Sequence, residues 1–195
     1  MKGKKIVVFF CVVAFIGFLA ACNIGSQGVT SQERPIAGFN AIILDGVGNM
    51  NIHPGENHKV VITTNSNLLE RVVTTVNNNT LTVTQRRAGT FRASELTIDV
   101  YLPELKAVSL SGVGKITING GNAAELTLSL SGTGSVDAQN FQVQNVSINH
   151  SGVGTARIWV TNSLTGTLSG VGNILYRGNP AINVNRTGIG RVEPL

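Results

Sequence analysis

The chain has 195 residues, 42% of them hydrophobic and only 13% charged, with 23 glycines, 5 prolines and 5% aromatics. That length suits one domain with a buried core, and a charge fraction about half the usual quarter excludes a disordered chain. The formal charge of +5 points to anionic partners only if those charges belong to the folded part.

Many of them do not. Met1-Lys2-Gly3-Lys4-Lys5 is a basic start, followed by a 14-residue apolar run from Ile6 to Leu19. That run is shorter than the ~20 residues of a spanning helix. With the small Ala20 and Ala21 it reads as a secretory signal over residues 1–21. Leu19-Ala20-Ala21-Cys22 looks like a bacterial lipobox, in which Cys22 receives a diacylglycerol and cleavage precedes it. Asn23 stands where an Asp would retain a lipoprotein at the inner membrane, so the expected address is the outer membrane, on either face. Several acyl chains make such an anchor stable. Cys11 leaves with the signal and Cys22 takes the lipid, so no disulfide or thiol chemistry is expected. Losing Lys2, Lys4 and Lys5 leaves 12 basic against 10 acidic side chains, a charge of +2.

Residues 22–34 (CNIGSQGVTSQER) are polar and aperiodic, and read as a flexible tether from the lipidated cysteine. From Pro35 to Leu195 short alternating runs are separated by Gly and Asn, which reads as one β domain. It has an irregular part, 35–104, and a regular one, 105–195. In the first part strands are expected at Lys59–Thr64, Thr80–Gln85 and Glu95–Leu102. A short helix over Leu68–Val73 would be capped by Asn65-Ser66-Asn67. This part is expected to form two or three less regular coils that close the N-terminal end.

The second part repeats. A unit of Ser/Thr/Asp-Gly-x-Gly begins at Asp45, Ser111, Ser131, Ser151, Ser169 and Thr187, and the last five starts are 20, 20, 18 and 18 residues apart. One residue before each unit stand Leu44, Leu110, Leu130, His150, Leu168 and Arg186. Five after stand Met50, Ile116, Val136, Ala156, Ile174 and Val192. Polar columns alternate with these, so each copy supplies strands with one buried face. Like positions recurring every circuit predict a parallel β-solenoid, right-handed as parallel crossovers are, with glycines at a shared corner.

The opening Ile36-Ala37-Gly38-Phe39-Asn40-Ala41-Ile42, Leu102-Pro103-Glu104-Leu105, the Ser-Gly-Val-Gly units and Gly170-Val171-Gly172-Asn173-Ile174-Leu175-Tyr176-Arg177-Gly178-Asn179-Pro180 together resemble the head GIN domain. That bacterial family is labelled putative autotransporter adhesin head. The resemblance covers about Pro35 to Leu195. It implies a right-handed β-helix-like fold in the cell envelope, no established activity, and no catalytic or ligand residues to carry over.

Candidate chemistry is sparse. None of the Gly-x-Gly copies has the third glycine and strand-to-helix setting of a dinucleotide site. Only Asp45 lies in a copy, which argues against a calcium roll. His53 and His58, with Glu56, flank a turn without a third strong ligand, so neither a metal nor another cofactor is expected. The ten acids are scattered, whereas glycosidic chemistry needs two converging carboxylates. Asp137 is expected to pair with Arg157 one coil away. His150 is expected inside, satisfied by a carbonyl. Arg86, Arg87 and Arg92, with Phe91, form a basic loop that either offers guanidinium and stacking contacts to an anionic ligand or is a solvated loop that discourages edge pairing. Nucleic acid is excluded by the modest mature charge and the missing aromatic–basic platform.

The sequence therefore predicts a non-enzymatic, lipid-anchored envelope protein, adhesin-like or structural. It would bind an extended glycan or protein on polar ladders, and a second copy through the open C-terminal end. The alternative is a polysaccharide-processing β-helix enzyme.

Overall fold

The computed structural model describes residues 28–86 and 91–195; the signal segment, Cys22 and Arg87 lie outside them. Among the described residues the fold is all-β, with helical structure confined to single 3₁₀ turns such as Leu69–Arg71. Among the described residues 15 strands form one sheet. The first seven are β1 (Val29–Arg34), β2 (Ala41–Asp45), β3 (Val47–Pro54), β4 (Lys59–Asn65), β5 (Val72–Asn77), β6 (Thr80–Gln85) and β7 (Leu96–Leu102). Next come β8 (Ala107–Leu110), β9 (Val113–Ile118), β10 (Asn122–Leu130) and the long β11 (Thr133–His150) and β12 (Val153–Leu168). The last are β13 (Val171–Arg177), β14 (Ala181–Arg186) and β15 (Val192–Pro194).

Two ladders run through the sheet. One is β6-β2-β8-β10-β11-β12-β14, parallel throughout. The other is β7-β3-β9-β11-β12-β13-β15, also parallel. In the regular half each repeat thus contributes one strand segment to each ladder, with like positions in register. Leu44, Leu110, Leu130 and Leu168 stack in one buried column, and Met50, Ile116, Val136, Ala156 and Ile174 in another. Each larger aliphatic side chain so buried contributes about 1.5–3 kcal/mol.

The ladders meet at the glycine corner, where backbone lies directly on backbone. Val113 N–H donates to Gly46 O at 2.7 Å, Thr133 N–H to Gly112 O at 2.9 Å, and Val153 N–H to Gly132 O at 2.9 Å. A Cβ on Gly132 or Gly152 would overlap the carbonyl of the corner glycine one layer below. From the unit at Ser111 onward the third residue is exposed, giving a row of Val113, Thr133, Val153, Val171 and Ile189.

The sheet is mixed, and this corrects the expectation of a wholly parallel one. β1 pairs antiparallel with β4, β4 antiparallel with β7, and β5 antiparallel with β6. The 66-residue gap between the motif copies at Asp45 and Ser111 leaves those residues adjacent, with Ser111 Oγ donating to Asp45 Oδ1 at 3.3 Å. The intervening chain runs outward, adds β6 and β7 as one further parallel layer, and covers it with antiparallel strands. The segment read as a helix over Leu68–Val73 keeps only the turn Leu69–Arg71 and becomes β5 from Val72. Its run of Val and Thr favours extended backbone. Asn78 and Asn79, at φ 47° and 60°, close the β5–β6 hairpin.

Val29–Arg34, read as part of the tether, is an edge strand. Its side chains are mostly exposed, and backbone pairing with β4 holds it, helped by Ser31 Oγ and Thr63 Oγ1 at 2.8 Å. Such pairing leaves no apolar alternation to read.

Gln85 ends the glycine corner. Its side-chain amide accepts from Val47 N–H at 2.8 Å and donates to Val47 O at 3.0 Å, standing in for the peptide of one more layer. Gln85→Ala should cost about 1–3 kcal/mol by leaving both groups unpaired, seen as a lower urea midpoint. At the opposite end β14 and β15 each pair on one side only, and Ile182, Ile189 and Leu195 are 45%, 75% and 55% exposed.

Candidate functional site

The change in repeat length from 20 to 18 residues has a defined place. Between Ala138 and Gln142 of β11 three residues, Gln139-Asn140-Phe141, have no partner, whereas Ile158 and Trp159 across the ladder are consecutive; β12 recovers one residue between Val160 and Ser163, opposite Val143 and Asn145, so the net difference is two. Phe141 fills that bend and is fully buried. In the shorter repeat the chain cuts across and presents Trp159, the single tryptophan, on the outer face instead.

Outward positions there form a column: Asn122 opposite Gln142, Gln142 opposite Trp159, and Trp159 opposite Arg177. The Arg177 guanidinium lies over the indole, 4.2 Å from its centroid. Arg157 is on the same face as Trp159, two residues earlier and opposite Leu175. Arg191 N–H donates to Asn173 Oδ1 at 2.9 Å, which puts Arg191 one layer further on.

Beside this column the surface is concave. A groove of about 560 Å³ is lined by Pro54, Pro103, Glu104, Lys106, Glu125 and Thr127 among others. It shares Asn122, Ala123 and Ala124 with a second hollow of about 360 Å³ that continues to Gln142, Gln144 and Thr161. Small alanines leave the space, and amides and hydroxyls line it. A further polar cluster adjoins, where Asn162 Nδ2 and Ser163 Oγ both donate to Asn145 Oδ1 at 2.7 Å.

The residues singled out from sequence are placed as follows. Arg86 and Arg92 are exposed on either side of residues 87–90, which lie outside the described part. Phe91 is 7% exposed and belongs to the core, so it offers no stacking surface, a correction to the loop as first read. Arg92 N–H is bound to the Glu95 carboxylate at 3.1 Å. His53 stacks on Tyr101 with 4.5 Å between centroids, and His58 sits edge-on to Phe39 at 4.7 Å, so the two histidines serve separate contacts. Asp137 pairs with Lys115 Nζ of the layer below at 3.6 Å and not with Arg157, although Arg157 is in register with it. His150 is fully buried, and its Nε2 donates to Gly154 O at 2.9 Å. Arg186, at the same position of a later repeat, makes the equivalent bond to Gly190 O at 3.2 Å.

The Arg177–Trp159 stack and the groove are features the sequence reading missed. Both residues stand eight positions after the start of their glycine units at Ser169 and Ser151, so the signal was present in the repeat alignment.

The sequence model of the family described as "Putative auto-transporter adhesin, head GIN domain" matches residues 38–129 and 114–180. Among solved structures, a putative adhesin from Bacteroides fragilis is 21% identical, with 87% of this chain and 98% of that chain covered and a TM-score of 0.56. A putative adhesin from Parabacteroides merdae is 22% identical, covering 88% and 98%, with a TM-score of 0.41. A putative lipid binding protein from Parabacteroides distasonis is 17% identical, covering 88% and 98%, at 0.43. At such identity the first likeness speaks to fold alone. No curated protein matches the chain.

Proposed function

The chain belongs to the family of head GIN domains described as putative auto-transporter adhesins, and from that premise we propose a non-enzymatic, adhesin-like module of the cell envelope that binds an extended glycan. In this reading the two parallel ladders are walls of a right-handed β-solenoid, the hand that parallel crossovers take. Cys22 carries the lipid that fixes the chain to the outer membrane. The observation that supports glycan binding is the hollow lined by Asn122, Gln142, Gln144 and Thr161, in which Asn122 and Gln142 are partners on adjacent strands at the spacing of ~4.8 Å. A repeating polar surface suits a repeating polyhydroxylated ligand.

A glycan array probed with the full chain tests this. Binding to polymeric glycans and not to their monosaccharides is the expected result; no glycan bound, with capture of a surface protein instead, would replace the reading with a protein ligand. Cys22→Ser should move the chain from the membrane fraction to the soluble one.

The enzyme reading has one observation in its favour, since the larger groove gathers Glu104, Lys106 and Glu125. However, Lys106 Nζ already holds Glu104 at 3.3 Å, and both side chains are more than half exposed. A glycosidic general acid needs a desolvated setting to keep its proton at neutral pH. Release of reducing ends that disappears in Glu125→Gln would establish catalysis.

The open C-terminal end is the proposed seat of a second copy. The opposite end is covered by antiparallel β1, β4 and β5, whereas β14 and β15 leave strand edges and aliphatic side chains uncovered. Sedimentation should show a dimer, converted to monomer by Ile189→Lys; monomer at all concentrations would sink the idea.

A further inference from the structure

Charge is unevenly divided along the stack. From Ala138 to Leu195 the side chains include Arg157, Arg177, Arg186 and Arg191 against Glu193 alone. Among the described residues none of these arginines joins an ion pair. Three of them share the outer face of β12, β13 and the chain leading into β15. Arg157 and Arg177 are one layer and two residues apart, about 8 Å on a sheet of ordinary spacing. Asp137 is held by Lys115 and by Gln139 Nε2 at 3.1 Å, so it leaves Arg157 unneutralised. Glu193 lies opposite Leu175, one layer and two residues from Arg177, and forms no ion pair with it.

Arg177 is held ready. Its stacking on Trp159 limits the rotamers of a long side chain and leaves the N–H fork in solvent, since the π face makes no hydrogen bond to those donors. A forked guanidinium fixed in this way suits a carboxylate or sulfate, which it grips with two parallel bonds. The neighbouring outward side chains are neutral: Gln142 lies opposite Trp159, and Thr155 and Asn173 pair four residues further back along β12 and β13. A membrane surface would be met by apolar side chains, whereas Arg157, Trp159 and Arg177 stand here beside Gln142, Thr155 and Asn173.

We propose that the Trp159–Arg177 stack, with Arg157 on the same face, is the binding site for an acidic polysaccharide, its carboxylates taken by the arginines and its hydroxyls by the amide column. This rests on the glycan reading above and narrows it to anionic chains. It also moves the anion contact away from the Arg86–Arg92 loop.

Affinity electrophoresis of the full chain through gels containing polygalacturonate or neutral dextran tests the site. Retardation by polygalacturonate and not by dextran is expected, weakening steeply with salt. Arg177→Ala should weaken binding about tenfold or more, the scale of a charge-assisted pair. Arg177→Lys should lose part of that by keeping the charge without the fork. Trp159→Ala should weaken binding although no charge changes, which distinguishes a positioned guanidinium from a diffuse field. Retardation by both polymers, unchanged in Arg177→Ala, would overturn the acidic site and leave the glycan reading standing. Retardation by neither, with no hit on the wider array, would overturn both. Loss in Arg86→Ala or Arg92→Ala, with Arg177→Ala unaffected, would place the anion on the loop and overturn the assignment.

Discussion

Gly154→Ala is expected to be among the most damaging single substitutions in the chain, although it adds one methyl group. Gly154 has a φ of 147°, where an L side chain is strained, and a Cβ there would overlap the Gly134 carbonyl of the layer below. Strain of this kind costs about 1–3 kcal/mol, and forced overlap adds about 1–3 kcal/mol more. The overlapped atom is backbone in a hydrogen-bonded ladder, so no rotamer change relieves it. Gly55→Ala is the matching control: its φ is 90°, yet nothing lies within 4 Å of the added Cβ. It should lose only the strain. Urea denaturation of the two variants would separate the terms, and equal losses would show that stacking at the corner is looser than the structure implies.

That contrast explains why the regular half of the fold could be read from sequence. A stacked corner admits only glycine, and a buried face admits only apolar side chains, so each layer prints the same pattern at the same spacing. Leu130, Val136 and Gly132 carry that information individually. Strand direction is not printed in the same way. β4 alternates as cleanly as the parallel strands, yet it runs antiparallel to its neighbours β7 and β1, because alternation records which side is buried and not which way the chain travels. Likewise β1 is held by its backbone, and Gln85 replaces a peptide with a side chain; neither leaves a periodic trace.

The candidate site was less legible for a related reason. Trp159 and Arg177 share an offset from their glycine units, but outward columns carry no demand for apolar residues and therefore no pattern that draws attention to them. Gln142 joins the column only after the three-residue bend at Gln139-Asn140-Phe141 is removed from the register, which spacing alone does not locate. Conversely, the arginines of the 86–92 segment are close in sequence and salient there, while the aromatic beside them turns inward.

The same bend supports the second large effect, Phe141→Ala. Phe141 is fully buried, its ring 3.4 Å from where a Cβ on Gly121 would stand. Truncating a buried aromatic costs about 3–5 kcal/mol, because the cavity left behind collapses only in part. Collapse is hindered here by the neighbouring layers, whose backbones are tied at 3.2 Å from Gln142 N–H to Gly121 O. Since β11 belongs to both ladders, the loss falls in the middle of the stack and not at a fraying end. Two outcomes follow from how layers cooperate. If all of them melt together, the urea midpoint drops with the slope unchanged. If the stack behaves as weakly coupled layers, the slope falls too, as the C-terminal repeats unzip before the N-terminal ones. Phe141→Leu should recover most of the loss by refilling the bend, and a Phe141→Ala midpoint matching the native one would show that the bend contributes nothing to the stack.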